Sequence, residues 1–262
     1  MDNMVRLGAT GLLAVLSLAG VAGRASAQTV GLTLAPSGTC SAPDAAIAAP
    51  APLPRFARLV GTHRKIRVLA IGSSSTVGVG ASSPRQRYPD QLEQILENAV
   101  QGLDVEIVNG GVSGEMARTT AERLKQEVAR LDPDLVLWQV GTNDALARVP
   151  IEDFAATLTA TLRWLKEREK DVALVGLQYT VRLSKDDHYK AIKETLRRIA
   201  AQEKILLVHR YEAMEFIAAA AKKDNELLAN DAFHLNDLGY RCMAEHIARA
   251  IALSALAQPP SR

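Results

Sequence analysis

Asp231 and His234 stand three residues apart in the segment DAFHLN, just ahead of the last helical pattern of the chain. At that spacing the two side chains can face each other across one turn, so the carboxylate can reach imidazole Nδ1. Such a contact holds one tautomer and stabilises the imidazolium formed when Nε2 takes a proton. A hydroxyl within reach of Nε2 then becomes a usable nucleophile. Three candidates, Ser73, Ser74 and Ser75, follow directly on the apolar run LAIG. Taken alone, the pair has a plainer reading, in which Asp231 or Asn236 caps the next helix and His234 is a surface residue. His63, His188, His209 and His246 have no comparable partner pattern and read as surface or packing residues.

The elements that must bring these residues together are legible from Arg67 onward, where short apolar runs alternate with helical patterns. Strands are expected at 68–71, 105–108, 135–140, 172–177 and 205–208. Runs of this length and apolarity suit strands covered on both faces. Pro89 suits a first helical turn, and Leu92, Ile95, Leu96, Ala99 and Val100 then form one apolar stripe. Ala121, Leu124, Val128 and Leu131 form another, which Asp132-Pro133 ends. Further helices fit 151–169, 187–203, 211–222 and 237–256. This alternation predicts an α/β domain, a three-layer α/β/α sandwich around a five-stranded parallel sheet.

In an open parallel sheet, ligands bind beyond the carboxyl ends of the strands. The first strand ends in Gly72-Ser73-Ser74-Ser75, the second in Asn109-Gly110-Gly111-Val112-Ser113-Gly114, and the third in Gly141-Thr142-Asn143-Asp144. All three polar segments therefore fall at one edge. Together with Asp231 and His234, and in this order, they resemble the blocks of the SGNH/GDSL hydrolase superfamily of esterases and lipases. The resemblance spans roughly residues 65 to 255, with Ser73 standing where the family has an aspartate. It implies a flavodoxin-like fold with Ser74 as nucleophile, His234 as base and then acid, and Asp231 orienting the imidazole. It also implies an oxyanion hole built from the Ser74 and Gly111 backbone N–H groups and the Asn143 amide, with no cofactor and no metal. Members of the family act on acetylated sugars, lipids and thioesters, so the resemblance leaves the ester open, and with it thioester or lysophospholipid hydrolysis and O-acyl transfer. Tyr179 and Phe233 fall in loops at the active edge, where they line a substrate pocket or pack; Trp138 and Trp164 fall in strand and helix patterns and read as core.

Three rival readings fit less well. An α/β-hydrolase nucleophile wants Gly-x-Ser-x-Gly, whereas Thr76 occupies the position two after Ser74. A phosphate-cradling nucleotide binder leaves Asn143 and the Asp231/His234 pair unexplained. A non-catalytic exported binding protein leaves a complete triad without a task.

The 262 residues carry 31 basic and 29 acidic side chains without a basic block, and aromatics make up 4%, which argues against nucleic acid or an anionic membrane surface as partner. Arg6, the uncharged apolar stretch 7–21 and Ala25-Ser26-Ala27 read as a signal peptide, 1–27, cut after Ala27, which predicts a secreted or periplasmic protein with no stable membrane span. Residues 28–62 form an Ala/Pro-rich leader, expected to be poorly ordered, ahead of a domain at 63–257 and a tail at 258–262. In the last helix, Tyr240, Met243, Ala244, Ile247 and Ile251 form the expected buried stripe, which puts Cys242 on another face with His246 and Arg249. With Cys40 on the leader as the other cysteine, a Cys40–Cys242 disulfide tying the leader down is expected.

Overall fold

The computed structural model describes Met1 and residues 34–62, 64–221 and 226–256. The signal-peptide reading, the 258–262 tail and His63 lie outside the described residues. In chain order the elements are α1 (Asp44–Ile47), β1 (Ala48–Ala49), α2 (Pro54–Gly61), β2 (Ile66–Gly72), α3 (Ser74–Val77), α4 (Tyr88–Ala99), β3 (Val105–Gly111), α5 (Ala117–Leu131), β4 (Leu135–Gln139), α6 (Thr142–Leu146), α7 (Ile151–Lys166), β5 (Asp171–Val175), α8 (Asp187–Glu203), β6 (Leu206–Val208), α9 (Arg210–Ala221) and α10 (Asp237–Leu256). The sheet runs β1-β6-β5-β4-β2-β3. All neighbours pair in parallel except β1, which lies antiparallel on β6. The five parallel strands match the expectation; the sixth is a two-residue addition from the leader.

Alternation along the strands builds two cores. Val68 and Ala70 of β2 face one side with α4 and α10, whereas Leu69 and Ile71 face the other with α5, α7 and α8. Both faces of each central strand are thus covered, which is why those strands read as unbroken apolar runs. Trp138 is fully buried in the second core. Trp164 is only partly buried there, with the Arg168 guanidinium 4.0 Å over its ring, a cation–π contact on the outer side of α7. The parallel strands follow the order 2-1-3-4-5 when counted from β2, so the chain reverses direction across the sheet at β2, between β3 and β4. A crevice forms at such a switch point, beyond the carboxyl ends of the strands.

The described part of the leader, 34–62, is ordered, which corrects the expectation. Ile47, Leu53 and Phe56 are fully buried against α10 and the sheet, each burial contributing about 1.5–3 kcal/mol. The rest of its support is also distant in sequence. Asp44 pairs with Arg249, Ser37 bonds Glu245, and the Ile47 carbonyl accepts from His209 N–H. Pro54 opens α2, where its missing N–H costs nothing. The Phe56 N–H donates to Asp171 at 2.7 Å, and burial pushes that carboxyl up to about 6. The leader thus folds on partners that lie elsewhere in the chain, and its amphipathic stretch, α2, turns Phe56 and Val60 into the core.

Cys40 and Cys242 are disulfide-bonded. The face of α10 that carries Cys242 and His246 is nevertheless not an exterior, since both are buried beneath the leader and His246 Nε2 lies 2.7 Å from the Cys40 carbonyl. His209 packs likewise, its Nδ1 3.1 Å from the Ala45 carbonyl.

Candidate active site

The three consecutive serines have three different environments. Ser73 is 5% exposed, and its N–H and hydroxyl both donate to Gln139 Oε1 at 3.0 Å. Ser75 is 4% exposed and accepts from Arg210 Nη2 at 3.1 Å. Ser74 is half-buried, and its Oγ lies 3.0 Å from His234 Nε2. The strand-to-helix turn after β2 sets this apart. Gly72 permits it, because a Cβ there would fall 2.7 Å from the Gln139 carbonyl and from Thr76 Oγ1. α3 then begins at Ser74, whose N–H, as the first of a helix, has no acceptor within the helix.

His234 is held from its other side. Its Nδ1 lies 2.6 Å from Asp231 Oδ2, while Asp231 Oδ1 accepts from the backbone N–H groups of Phe233 and His234 at 3.0 and 2.9 Å. The hydrogen bond to His234 holds the Asp231 carboxyl below its ordinary range. The loop turns tightly through Ala232, in left-handed backbone at φ 54°, and closes where Ala229 N–H meets the His234 carbonyl at 2.7 Å. Gly80 lets the segment after α3 press against this loop, since a Cβ at Gly80 would lie 2.4 Å from the Leu235 carbonyl. The helix-capping task belongs to Asn236, whose Oδ1 accepts from Gly239 N–H at 2.9 Å, and Asp231 is left to the histidine. Phe233 stands edge-on to the imidazole with ring centroids 5.0 Å apart, which places apolar surface beside the base. Tyr179 instead packs edge-on against Tyr211 at 5.1 Å.

The remaining expected residues divide. Asn143, in the first turn of α6, is half-exposed at the same edge, and its Nδ2 donates one hydrogen bond to the Glu115 carbonyl at 2.8 Å. An amide carries two N–H bonds, so the second remains for a ligand. Asp144 beside it is buried and caps α5 through Ala117 N–H at 2.9 Å, and desolvation raises its pKa. Gly111 does not match its expected role. Its N–H donates to Asn109 Oδ1 at 3.0 Å, and a Cβ there would lie 2.3 Å from Val77 N. Gly111 is therefore the glycine that lets β3 pack against α3, while Asn109 Nδ2 clamps the Thr76 carbonyl at 2.7 Å. Three residues later Gly114, with φ 81° and open space around it, sits in the exposed turn that Asn143 anchors through Glu115.

Sequence reading missed Gln139 and Arg210. Both had a signal: a polar side chain ending an otherwise apolar strand, and a charge two residues after the run ILLV. Size does not locate the site. A groove of about 510 Å³ lies at the opposite edge of the sheet, lined by Pro54, Arg55, Lys170, Asp171 and Lys204 at the starts of β5 and β6. A second, of about 400 Å³, runs past Met116, Arg118, Asp144 and Phe154, next in sequence to the Asn143 and Glu115 pair.

Known proteins resemble the chain in sequence and fold. It is 27% identical over 113 residues to an arylesterase of Vibrio mimicus, an alignment covering 43% of this chain and 54% of the relative, so the chain spans about half that relative's length. It is 26% identical over 141 residues to esterase TesA of Pseudomonas aeruginosa, covering 54% of this chain and 68% of the esterase. The fold superposes on a lipolytic protein of the G-D-S-L family from Desulfitobacterium hafniense with a TM-score of 0.60 and 24% identity, over 70% of this chain and 98% of that one. The model of the Non-GDSL lipase-like family matches residues 39–257, from the cysteine-bearing leader to the end of α10. Serine where G-D-S-L proteins carry aspartate agrees with that description, and the chain belongs to the Non-GDSL lipase-like family within the SGNH/GDSL hydrolases.

Proposed function

We propose that the protein is an exported serine hydrolase of carboxylic esters. The observation that carries this reading is the continuous chain from Ser74 Oγ to His234 Nε2 at 3.0 Å and from His234 Nδ1 to Asp231 at 2.6 Å. His234 Nε2 takes the hydroxyl proton as Ser74 Oγ bonds to the ester carbonyl carbon, and Asp231 stabilises the imidazolium. The tetrahedral oxyanion collapses, the C–O bond to the alcohol breaks, and the imidazolium returns its proton to the leaving oxygen. Water, deprotonated by His234, then attacks the acyl-enzyme and releases the carboxylic acid and free Ser74. The oxyanion donors in this reading are the Ser74 N–H, the second N–H of the Asn143 amide, and Gly114 in place of Gly111. Export is supported by the buried Cys40–Cys242 bridge, which suits an oxidising compartment.

An organophosphonate that mimics the tetrahedral intermediate tests the site. Peptide mapping should place the adduct on Ser74, and His234→Ala should slow the labelling greatly, because it removes the base that takes the hydroxyl proton. An adduct on Ser73 or Ser75 overturns the assignment.

The oxyanion role of Asn143 has its own test. Asn143→Ala should lower kcat by about 10²- to 10³-fold with a smaller change in KM. A residue that only anchored the Glu115 turn would show a lower melting temperature and near-normal kcat, so kinetics and thermal unfolding measured together separate the two.

A further inference from the structure

Arg210 is 2% exposed and pairs with no carboxylate among the described residues. Burying a guanidinium without a counter-charge is costly, so its hydrogen bonds need a return beyond stability. Its titratable neighbours carry no counter-charge. Burial raises the pKa of Tyr88, Tyr189 and Tyr240, which keeps all three phenols neutral. Nη2 makes two contacts, one to Ser75 Oγ at 3.1 Å and one to Gln178 Oε1. Ser75 is the neighbour of Ser74 in α3. Gln178, in the segment after β5, leads to α6, because its N–H donates to Thr142 Oγ1 at 3.2 Å and Thr142 adjoins Asn143. Tyr189 closes the network by donating to the Gln178 carbonyl at 2.6 Å.

We propose that Arg210 is a positioning residue for this reaction, holding the helix that carries Ser74 at a fixed distance from the helix that carries Asn143. Two of the three oxyanion donors, the Ser74 N–H and the Asn143 amide, move with these helices, so the arginine sets the width of the hole without touching the substrate. The inference rests on the reading of Ser74 as nucleophile. A displacement of the order of 1 Å at such a site can cost about 10²-fold in rate, which makes one buried bracket worth its desolvation.

Arg210→Met keeps the aliphatic stem and removes the donors. It should lower kcat by about 10- to 100-fold while KM stays within about twofold, and Arg210→Lys should restore part of the loss. Ser75→Ala leaves the buried charge in place and severs one arm. It should lower kcat by roughly 3- to 10-fold with little change in melting temperature, and Arg210→Met/Ser75→Ala should be no slower than Arg210→Met alone. If Arg210→Met does not fold, Ser75→Ala decides. Normal kcat in Ser75→Ala, or strictly multiplicative effects in the double variant, overturns the proposal. Phosphonate labelling of the wild-type protein is run first. Absence of an adduct on Ser74 overturns the catalytic reading and this inference with it, whereas an adduct with normal kcat in the variants overturns the inference alone.

Discussion

Ser74→Ala is expected to lower kcat for ester hydrolysis by about 10⁴- to 10⁶-fold while leaving the fold unchanged. The size of the effect follows from how the neighbouring hydroxyls are used. Ser73 is committed to Gln139 and Ser75 accepts from Arg210, both in the buried layer under α3, so neither can swing out to replace the missing Oγ. The lost group is one half-exposed hydroxyl, and a change of that kind stays within about 0.5 kcal/mol in stability. His234→Ala should cost nearly as much, since it removes both the base and the acid that serves the leaving oxygen. Asp231→Ala should cost less, because the imidazole keeps its chemistry and loses its orientation. Steady-state kinetics and thermal unfolding of the three variants check the series, and a Ser74→Ala protein that kept most of its turnover would sink the site assignment.

The second large effect is thermodynamic. Replacing Cys40 and Cys242 by alanine should destabilise the protein by about 2–5 kcal/mol and lower its melting temperature by roughly 5–15 °C. The bridge joins residues 202 apart, and chain entropy for a loop of that length approaches ~5 kcal/mol. The contacts of Ile47, Leu53 and Phe56 persist without it, so the leader docks less tightly rather than detaching. Because Cys242 and His246 face the leader while Ser74 lies beyond the carboxyl end of β2, kcat at 25 °C should stay near normal in the same variant. Coincident melting curves for oxidised and reduced wild-type protein would show that the bridge contributes nothing.

These two effects also mark what could and could not be read in advance. The juxtaposition of Ser74 and Asn143 was legible because polar, glycine-containing segments end apolar strands, and the apolar period marked those ends to within a few residues; the Asp231 and His234 pair was legible from its spacing of three. β2 runs two residues earlier than expected and β5 ends two residues sooner, at Val175, yet Ser74 and Asn143 were placed at the correct edge. The leader was not legible, because its order comes from Arg249, Glu245, His209 and Asp171, all more than a hundred residues away. Local composition carries no trace of such partners. Gly111 illustrates a finer limit. A glycine can be present for close packing or for a free N–H, and only the position of Val77 and Asn109 distinguishes these uses. Arg210 illustrates the same point for a charge: its place just after the run ILLV draws notice to it, but its burial among tyrosines dispersed along the chain shows only in the fold.

Ala48 and Ala49 form a strand of two residues, paired to Val208 and Leu207. Such a ribbon adds almost nothing to the core, but it finishes the sheet. The outer side of β6 would otherwise offer unpaired backbone groups to any passing chain, the usual template for edge-to-edge aggregation. A stub that short gives a newcomer too few groups to extend, and Pro50 follows it at once, a residue with no N–H to donate. The leader thus acts as a stop signal for strand pairing at this edge, held in place from the far end of the chain.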